Sequence, residues 1–217
     1  QTDGQTDNGN ICTIYFSGID SRAGLEENSR SDVNIVAVMN LDTSQILLIS
    51  TPRDFFVPLS ISNGVPDKLT HAGIYGVQCS MDTLGMLYDI DIDYHFRASF
   101  DGITDMVNAL GGVTAYSEYT FDAGGYHFEE GYNDMDGAAA LAFCRERYAF
   151  ASGDRQRGRH QMHMINAIIH KIATPEGIKA IPDILFGETS QYYDTDISYA
   201  VLFRLLMKEI FGQAKWN

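Results

Sequence analysis

The 217-residue chain has only three cysteines, five prolines and one tryptophan, and it is short of basic side chains. Fifteen Lys and Arg stand against 29 Asp and Glu, a formal net charge of −14. That balance excludes a nucleic-acid backbone as partner, because such binding rests on counterion release by a broad basic surface. Cys12, Cys79 and Cys144 show no C-x-x-C and no histidine spacing of a zinc site. Sequence does not assign a disulfide among them, and buried free thiols are the commoner outcome. No apolar run approaches the roughly 18–20 residues of a membrane span, and Arg204 already interrupts Val201–Leu206. No stretch reads as a signal peptide, no segment repeats, and no G-x-S-x-G elbow supports serine-hydrolase chemistry.

What is present is a globular composition, 45% hydrophobic and 20% charged, long enough to bury a core. The opening ten residues form a polar arm, expected to be disordered. Residues 11–217 are read as one domain.

Positive charge is concentrated in one place. Phe143–Gln161 holds Arg145, Arg147, Arg155, Arg157 and Arg159 against Glu146 and Asp154, a local net of +3. Such a run is either a solvated turn or an anion site, since guanidinium forks match phosphate oxygens two at a time. Side-chain direction favours the second. Leu141–Tyr148 is read as a strand whose alternation puts Leu141, Phe143, Arg145 and Arg147 on one face. After the Ser152-Gly153 turn a helix is predicted from Asp154, as N-cap, to about Ala173. At 100° per residue, Arg157, Gln161, Met164, Ile165, Ile168 and Ile172 share one stripe, with Arg155, Arg159, His163, Asn166 and His170 opposite. Arg145, Arg147, Arg157 and Gln161 thus converge, while Arg155 and Arg159 read as solvated. A single cationic pocket in an acidic body suits a small, highly charged group.

The N-terminal third supplies acids to match. Ile11–Ile19 is a nearly continuous apolar run, as expected of a strand covered on both faces, and ends in Ser17-Gly18-Ile19-Asp20. Val33–Met39 and Ile46–Thr51 flank a turn and should form an antiparallel hairpin. If Met39 faces Ile46, partner numbers sum to 85 and Asp32 falls opposite Arg53. With the first strand parallel to the third, Asp20, Arg30, Asp32 and Arg53 meet at one sheet edge, where α/β ligands gather. They form either a structural ion-pair network or a magnesium-type site, carboxylates and phosphate oxygens being the ligands of hard cations.

Further along, Pro66–Gly73 is a loop entering helical territory, with Lys68 a weaker phosphate contact and His71 a hydrogen-bonded structural residue. Helices are expected at Ser80–Tyr88, from Phe100 to a Gly111-Gly112 cap, from Pro175 to about Phe186, and at Ile197–Phe211. Ile92–Ser99 and Val113–Phe121 read as strands, and Asp122–Asp136 as a Gly- and Tyr-rich loop. The alternation predicts an α/β fold.

In order along the chain, Ser17-Gly18-Ile19-Asp20, Arg30-Ser31-Asp32, Pro52-Arg53-Asp54, Lys68-Leu69-Thr70-His71-Ala72, Ala109-Leu110-Gly111-Gly112-Val113, Arg145-Glu146-Arg147, Gly153-Asp154, Arg157 and Gln161 make a specific series. From Ile14 to about Pro175 the chain resembles the LytR–CpsA–Psr family of cell-wall polymer transferases. The resemblance implies a three-layer α/β/α sandwich with a central mixed sheet and an apolar groove for a polyprenyl chain. It implies Asp20 and Asp32 at a divalent metal, Mg²⁺ or Mn²⁺. It also implies pyrophosphate contacts from Arg30, Arg53, Lys68, Arg145, Arg147, Arg157 and Gln161. Where the family often carries Arg just before the Gln, this chain has His160.

The implied reaction moves a glycopolymer, a teichoic acid or capsular polysaccharide, from polyprenyl pyrophosphate to a peptidoglycan sugar hydroxyl, releasing polyprenyl phosphate. Asp32, as general base, with Arg53 and Arg145 are the expected catalytic residues. Two alternatives stay open, a polyprenyl-pyrophosphate hydrolase and a non-catalytic lipid- or polymer-binding regulator. Family members usually carry an N-terminal membrane anchor, so the expected location is the extracellular face of a Gram-positive-type cell membrane.

Overall fold

A computed structural model describes residues 11–19, 25, 28–43, 45–212, 215 and 216. The polar arm and Asp20 lie outside the described residues. The centre is a mixed sheet built on β1 (Ile11–Ile19), β2 (Val33–Asn40) and β3 (Gln45–Ser50). β1 runs antiparallel to β2, and β2 antiparallel to β3. Met39 faces Ile46 and Ile35 faces Ser50, the register in which partner numbers sum to 85. β1 and β3 therefore point the same way, although β2 separates them.

Two short strands, β4 (Phe56–Pro58) and β5 (Pro66–Lys68), pair as a hairpin beyond the end of β3. β6 (Tyr94–Ser99) lies parallel to β1 on its other side. Val113–Ser117 (β7), Phe121–Ala123 (β8), Tyr126–Phe128 (β9) and Gly131–Met135 (β10) make two small ribbons, β7 with β10 and β8 with β9. The segment expected as loop thus carries strands. Its Gly124-Gly125 pair, both at positive φ, turns a tight hairpin, the conformation glycine alone adopts without strain. β11 (Tyr193–Thr195) adds antiparallel to β6, and β12 (Lys215–Trp216) adds parallel to β3, completing the six-stranded order β11-β6-β1-β2-β3-β12.

Among the described residues six α-helices cover the sheet: α1 (Val77–Tyr88), α2 (Phe100–Ala109), α3 (Gly137–Arg145), α4 (Asp154–Ile172), α5 (Pro175–Phe186) and α6 (Tyr199–Gly212). Strand alternation sorts the layers. Tyr15 and Val36 pack on one face with Leu69, Leu84 and Met81 of the α1 side. Cys12, Ile14 and Met39 turn to the opposite face, toward Leu205 of α6. On that side the largest core gathers Met106 of α2, Phe143 of α3, Met164 and Ile168 of α4, and Ile184 of α5. The result is an α/β layered fold.

The predicted strand Leu141–Tyr148 is a helix up to Arg145. Asp136 caps it, its side chain accepting from the Ala139 N–H at 2.8 Å, and the Gly-Ala-Ala-Ala run that follows has strong helix propensity. Residues 146–153 then turn into α4. Its N-cap is Gly153, one residue before the expected Asp154, which occupies the first helical position. The three cysteines are free thiols, Cys12 and Cys79 buried. Burial pushes the Cys144 thiol up to about 12. Among the described residues no helix is long and apolar enough to cross a membrane.

Candidate active site

A cavity of about 600 Å³ lies between the sheet and the α4 layer. Its floor is the sheet face of Ile14, Phe16, Ala37, Met39 and Ile46, and its roof is α4. The stripe read from sequence is that roof, for Arg157, Gln161, Met164, Ile165, Ile168 and Ile172 all line it. Ile181, Ile184 and Leu185 of α5 and Leu202 and Leu205 of α6 add further aliphatic surface. Native interiors hold few voids larger than a water molecule, so an aliphatic space of this size is a binding volume.

Its polar lining is gathered from four parts of the chain. Asp32 precedes β2, Arg53 follows β3, Arg145 ends α3, and Arg157 and Gln161 belong to the first turns of α4. Arg147 and Tyr148 join them from the loop after α3.

Backbone bonds fix the rim. The Asp32 N–H donates to the Gly18 carbonyl at 2.8 Å, where β1 and β2 come close. A Cβ on Gly18 would stand 2.6 Å from Val33 Cγ2, so a glycine is needed for that approach. Behind Arg53, its carbonyl accepts from the Thr70 N–H at 2.9 Å and the Pro52 carbonyl from the Phe55 N–H at 2.9 Å. Arg53 Nη1 then donates to Asp32 Oδ1 at 2.8 Å, joining the two residues the hairpin register placed opposite each other. That hydrogen bond holds the Arg53 guanidinium above its ordinary pKa, against the opposing effect of burial.

The Arg145-Glu146-Arg147 triplet divides its labour. Glu146 Oε1 accepts from the Tyr148 and Ala149 N–H groups at 2.6 and 2.8 Å, which shapes the loop leaving α3. Arg145 lies over the Phe100 ring, 4.6 Å from its centroid, a cation–π contact. Arg147 Nη2 donates to the Tyr148 hydroxyl at 2.6 Å. Gln161 Nε2 reaches the Cys144 carbonyl at 3.4 Å and ties α4 to the end of α3.

Arg157 reports the electrostatics of the cluster. Burial lowers its pKa, Asp154 pulls it up, and the like charges of Arg53 and Arg147 push it down again. Asp154, one turn back on α4, is its ion-pair partner. Guanidinium groups this close repel one another, and an anion bound among them relieves the repulsion.

Other residues named from sequence lie elsewhere. Arg30 is exposed and lines neither cavity described here. Lys68 Nζ pairs with Asp54 Oδ1 at 2.7 Å, an exposed contact that lowers the Asp54 pKa. His71 Nδ1 is held 2.9 Å from Asp67, as expected of a structural histidine. Arg159 points away from the cavity, Nη1 donating to both Glu118 carboxylate oxygens at 3.1 Å. His160 is fully buried between Phe143 and Phe121, with ring centroids 4.2 and 5.1 Å away. Tyr148, Phe100 and the loop-shaping Glu146 were not legible as site parts. The only sequence signal was the adjacency of Tyr148 to Arg147 and of Glu146 to both arginines.

A second, smaller cavity of about 160 Å³ adjoins the mouth. It shares Asp32, Arg53, Arg157 and Gln161 with the first and adds Ser50, Thr51, Arg155 and Gly158, among others.

An aliphatic cavity between sheet and helices thus opens through a cluster of arginines. The chain matches the LytR_cpsA_psr family over residues 1–214 and belongs to that family. It is 31% identical over 207 residues to the polyisoprenyl-teichoic acid–peptidoglycan teichoic acid transferase TagU of Enterococcus faecalis, covering 94% of this chain and 68% of that one. The TagU transferase of Halalkalibacterium halodurans is 36% identical over 163 residues, 74% of this chain and 53% of its own length. The chain thus spans little more than half to two thirds of these curated relatives. The crystal structure of B. subtilis TagU superposes with a TM-score of 0.75 at 27% identity, covering 90% of this chain and 80% of that one. TagT bound to LIIa-WTA superposes at 0.76 with 26% identity, covering 96% and 77%.

Proposed function

We propose that this protein transfers a glycopolymer, of the teichoic acid or capsular polysaccharide class, from a polyprenyl pyrophosphate carrier to a peptidoglycan sugar hydroxyl. The observation that carries the reading is the continuity of the α4 stripe. One helix face supplies aliphatic side chains deep in the cavity and Arg157 and Gln161 at its mouth. A prenyl chain lies along the first part while its diphosphate meets the guanidinium groups of Arg53, Arg145, Arg147 and Arg157. The acceptor oxygen bonds to the phosphorus nearer the polymer, the bridging P–O bond breaks, and polyprenyl phosphate leaves with the electron pair. Arg53 and Arg145 stabilise charge on the transferring group, and Asp32 takes the acceptor's proton.

A hard divalent cation suits the acidic part of the rim. Arg53 takes one oxygen of Asp32, which leaves the other for such an ion. Asp32 together with Asp20 would hold Mg²⁺ or Mn²⁺, which when bound supplies charge neutralisation for the diphosphate. Arg30 and Lys68 stay in the proposal as pyrophosphate contacts on the family resemblance alone, since neither lines the two cavities. Because the carrier is a membrane lipid, the reaction belongs at the outer face of a Gram-positive-type cell membrane.

The test is release of polyprenyl phosphate with and without a peptidoglycan acceptor, in Mg²⁺ and then in EDTA. Transfer requires acceptor-dependent release that EDTA abolishes. Release independent of acceptor identifies a hydrolase, and none in either case leaves a binding protein.

A further inference from the structure

We propose that the small cavity beside the mouth is the subsite for the acceptor, seating the sugar whose hydroxyl attacks. The inference rests on the transfer reading above and gives that reaction a second entrance.

The geometry of displacement at phosphorus sets the requirement. The attacking and leaving oxygens lie roughly in line, so the acceptor arrives on the side of the phosphorus away from the departing prenyl phosphate. The lipid cavity is thereby excluded as its route. The acceptor needs a separate space that touches the same phosphate-binding side chains, and the small cavity has that relationship to the large one. Asp32, Arg53, Arg157 and Gln161 line both, and the 2.8 Å Arg53–Asp32 contact belongs to the wall between them. A group in the small cavity is therefore one side chain away from a diphosphate in the mouth.

The lining suits a sugar. Ser50, Asp154 and Arg155 bring a hydroxyl, a carboxylate and a guanidinium to the walls. Sugar hydroxyls both donate and accept, and that mixture satisfies them in a way the aliphatic cavity cannot. At about 160 Å³ the space is little more than a quarter of the large cavity, a scale that suits one sugar residue. Gly158 keeps the space open. A Cβ built on this helical glycine would stand 2.9 Å from Ser50 Oγ, displacing that hydroxyl and intruding on the cavity.

The step balances without a further reactant. The acceptor O–H loses its proton to Asp32, its oxygen bonds to phosphorus, and prenyl phosphate leaves through the other cavity.

Gly158→Ala and Ser50→Val fill this subsite and leave every shared residue in place. The donor probe is a polyprenyl-pyrophosphate-linked disaccharide and the acceptor probe a soluble peptidoglycan oligosaccharide. Expected for each variant are an acceptor KM raised at least tenfold, donor affinity within twofold of wild type and an unchanged circular dichroism spectrum. A fall in donor affinity matching the loss of turnover would assign the cavity to the donor's own sugar and overturn the proposal. An unchanged acceptor KM in both variants would overturn it too. Should wild-type protein release no prenyl phosphate in response to acceptor, the transfer reading itself fails, and the subsite with it.

Discussion

Arg53 and Asp32 are 21 residues apart in sequence and 2.8 Å apart in space, one after β3 and the other before β2. Their contact closes the hairpin at the edge where the large cavity opens. The pair is only partly buried, so its net worth to stability is small, and the arrangement has its main consequence in the reaction. Arg53→Ala should lower turnover a hundredfold or more, the loss of about 2.7–4 kcal/mol typical of one oxyanion donor. Arg53→Lys should recover little, since an ammonium cannot bridge Asp32 and a phosphate as a planar fork does. Single-turnover release of prenyl phosphate measures both, with the melting temperature as the control for folding.

Arg145 and Arg159 provide a paired contrast. Arg145 is held against the Phe100 ring at the mouth, whereas Arg159 is committed to Glu118 and borders only the smaller cavity. Arg145→Ala should cost a hundredfold or more in turnover, and Arg159→Ala less than threefold. Equal losses at the two positions would contradict the face assignment of α4.

Glu146 is a positioning residue, touching the loop backbone and not the diphosphate. Glu146→Ala removes the acceptor of two N–H groups and should lower turnover roughly tenfold, about 1.4 kcal/mol. Glu146→Gln keeps an acceptor oxygen and should recover most of it. If the residue acted through its charge, the Gln variant would stay as poor as the Ala variant.

His160 sets a pH dependence of stability. Burial among Phe143, Phe121 and Phe150 lowers its pKa from 6.5 to about 4. Between those values the unfolded chain binds a proton that the folded protein refuses, so stability falls as pH drops through the window and is complete above it. His160→Phe should flatten that segment of the curve, a difference on the order of 2 kcal/mol at the acid end. Urea denaturation at pH 4.5 and 7.5 checks it, and an unchanged slope would contradict it.

How much of this could be read beforehand depends on which residues carried a periodic signal. The β2–β3 register was legible because two apolar runs flank one short polar turn, which fixes the sum of partner numbers. The α4 face was legible because one helical period runs unbroken from Arg157 to Ile172. Leu141–Tyr148 misled because a short run around Leu141 and Phe143 satisfies either period, and the Asp136 cap with its alanine run outweighed the alternation. Arg145 and Arg147 reach the mouth all the same, one from the last turn of a helix and the other from the loop beyond it. β11 and β12 carry no pattern of their own, three and two residues long, and are strands only because β6 and β3 offer them an edge. The aliphatic cavity was an expectation of the family resemblance and was not visible in the residues themselves. An aliphatic helix face has the same sequence whether it packs against protein or lines a binding volume.

The central claim is that a diphosphate sits among Arg53, Arg145, Arg147 and Arg157 while its prenyl chain runs beneath α4. A crystal structure of the protein with a polyprenyl pyrophosphate tests it most directly. Phosphate density within hydrogen-bond distance of those guanidinium groups, with the chain passing Ile165, Ile168 and Ile172, is the expected result. Phosphates bound elsewhere, or a prenyl chain lying on the outer surface, would contradict it.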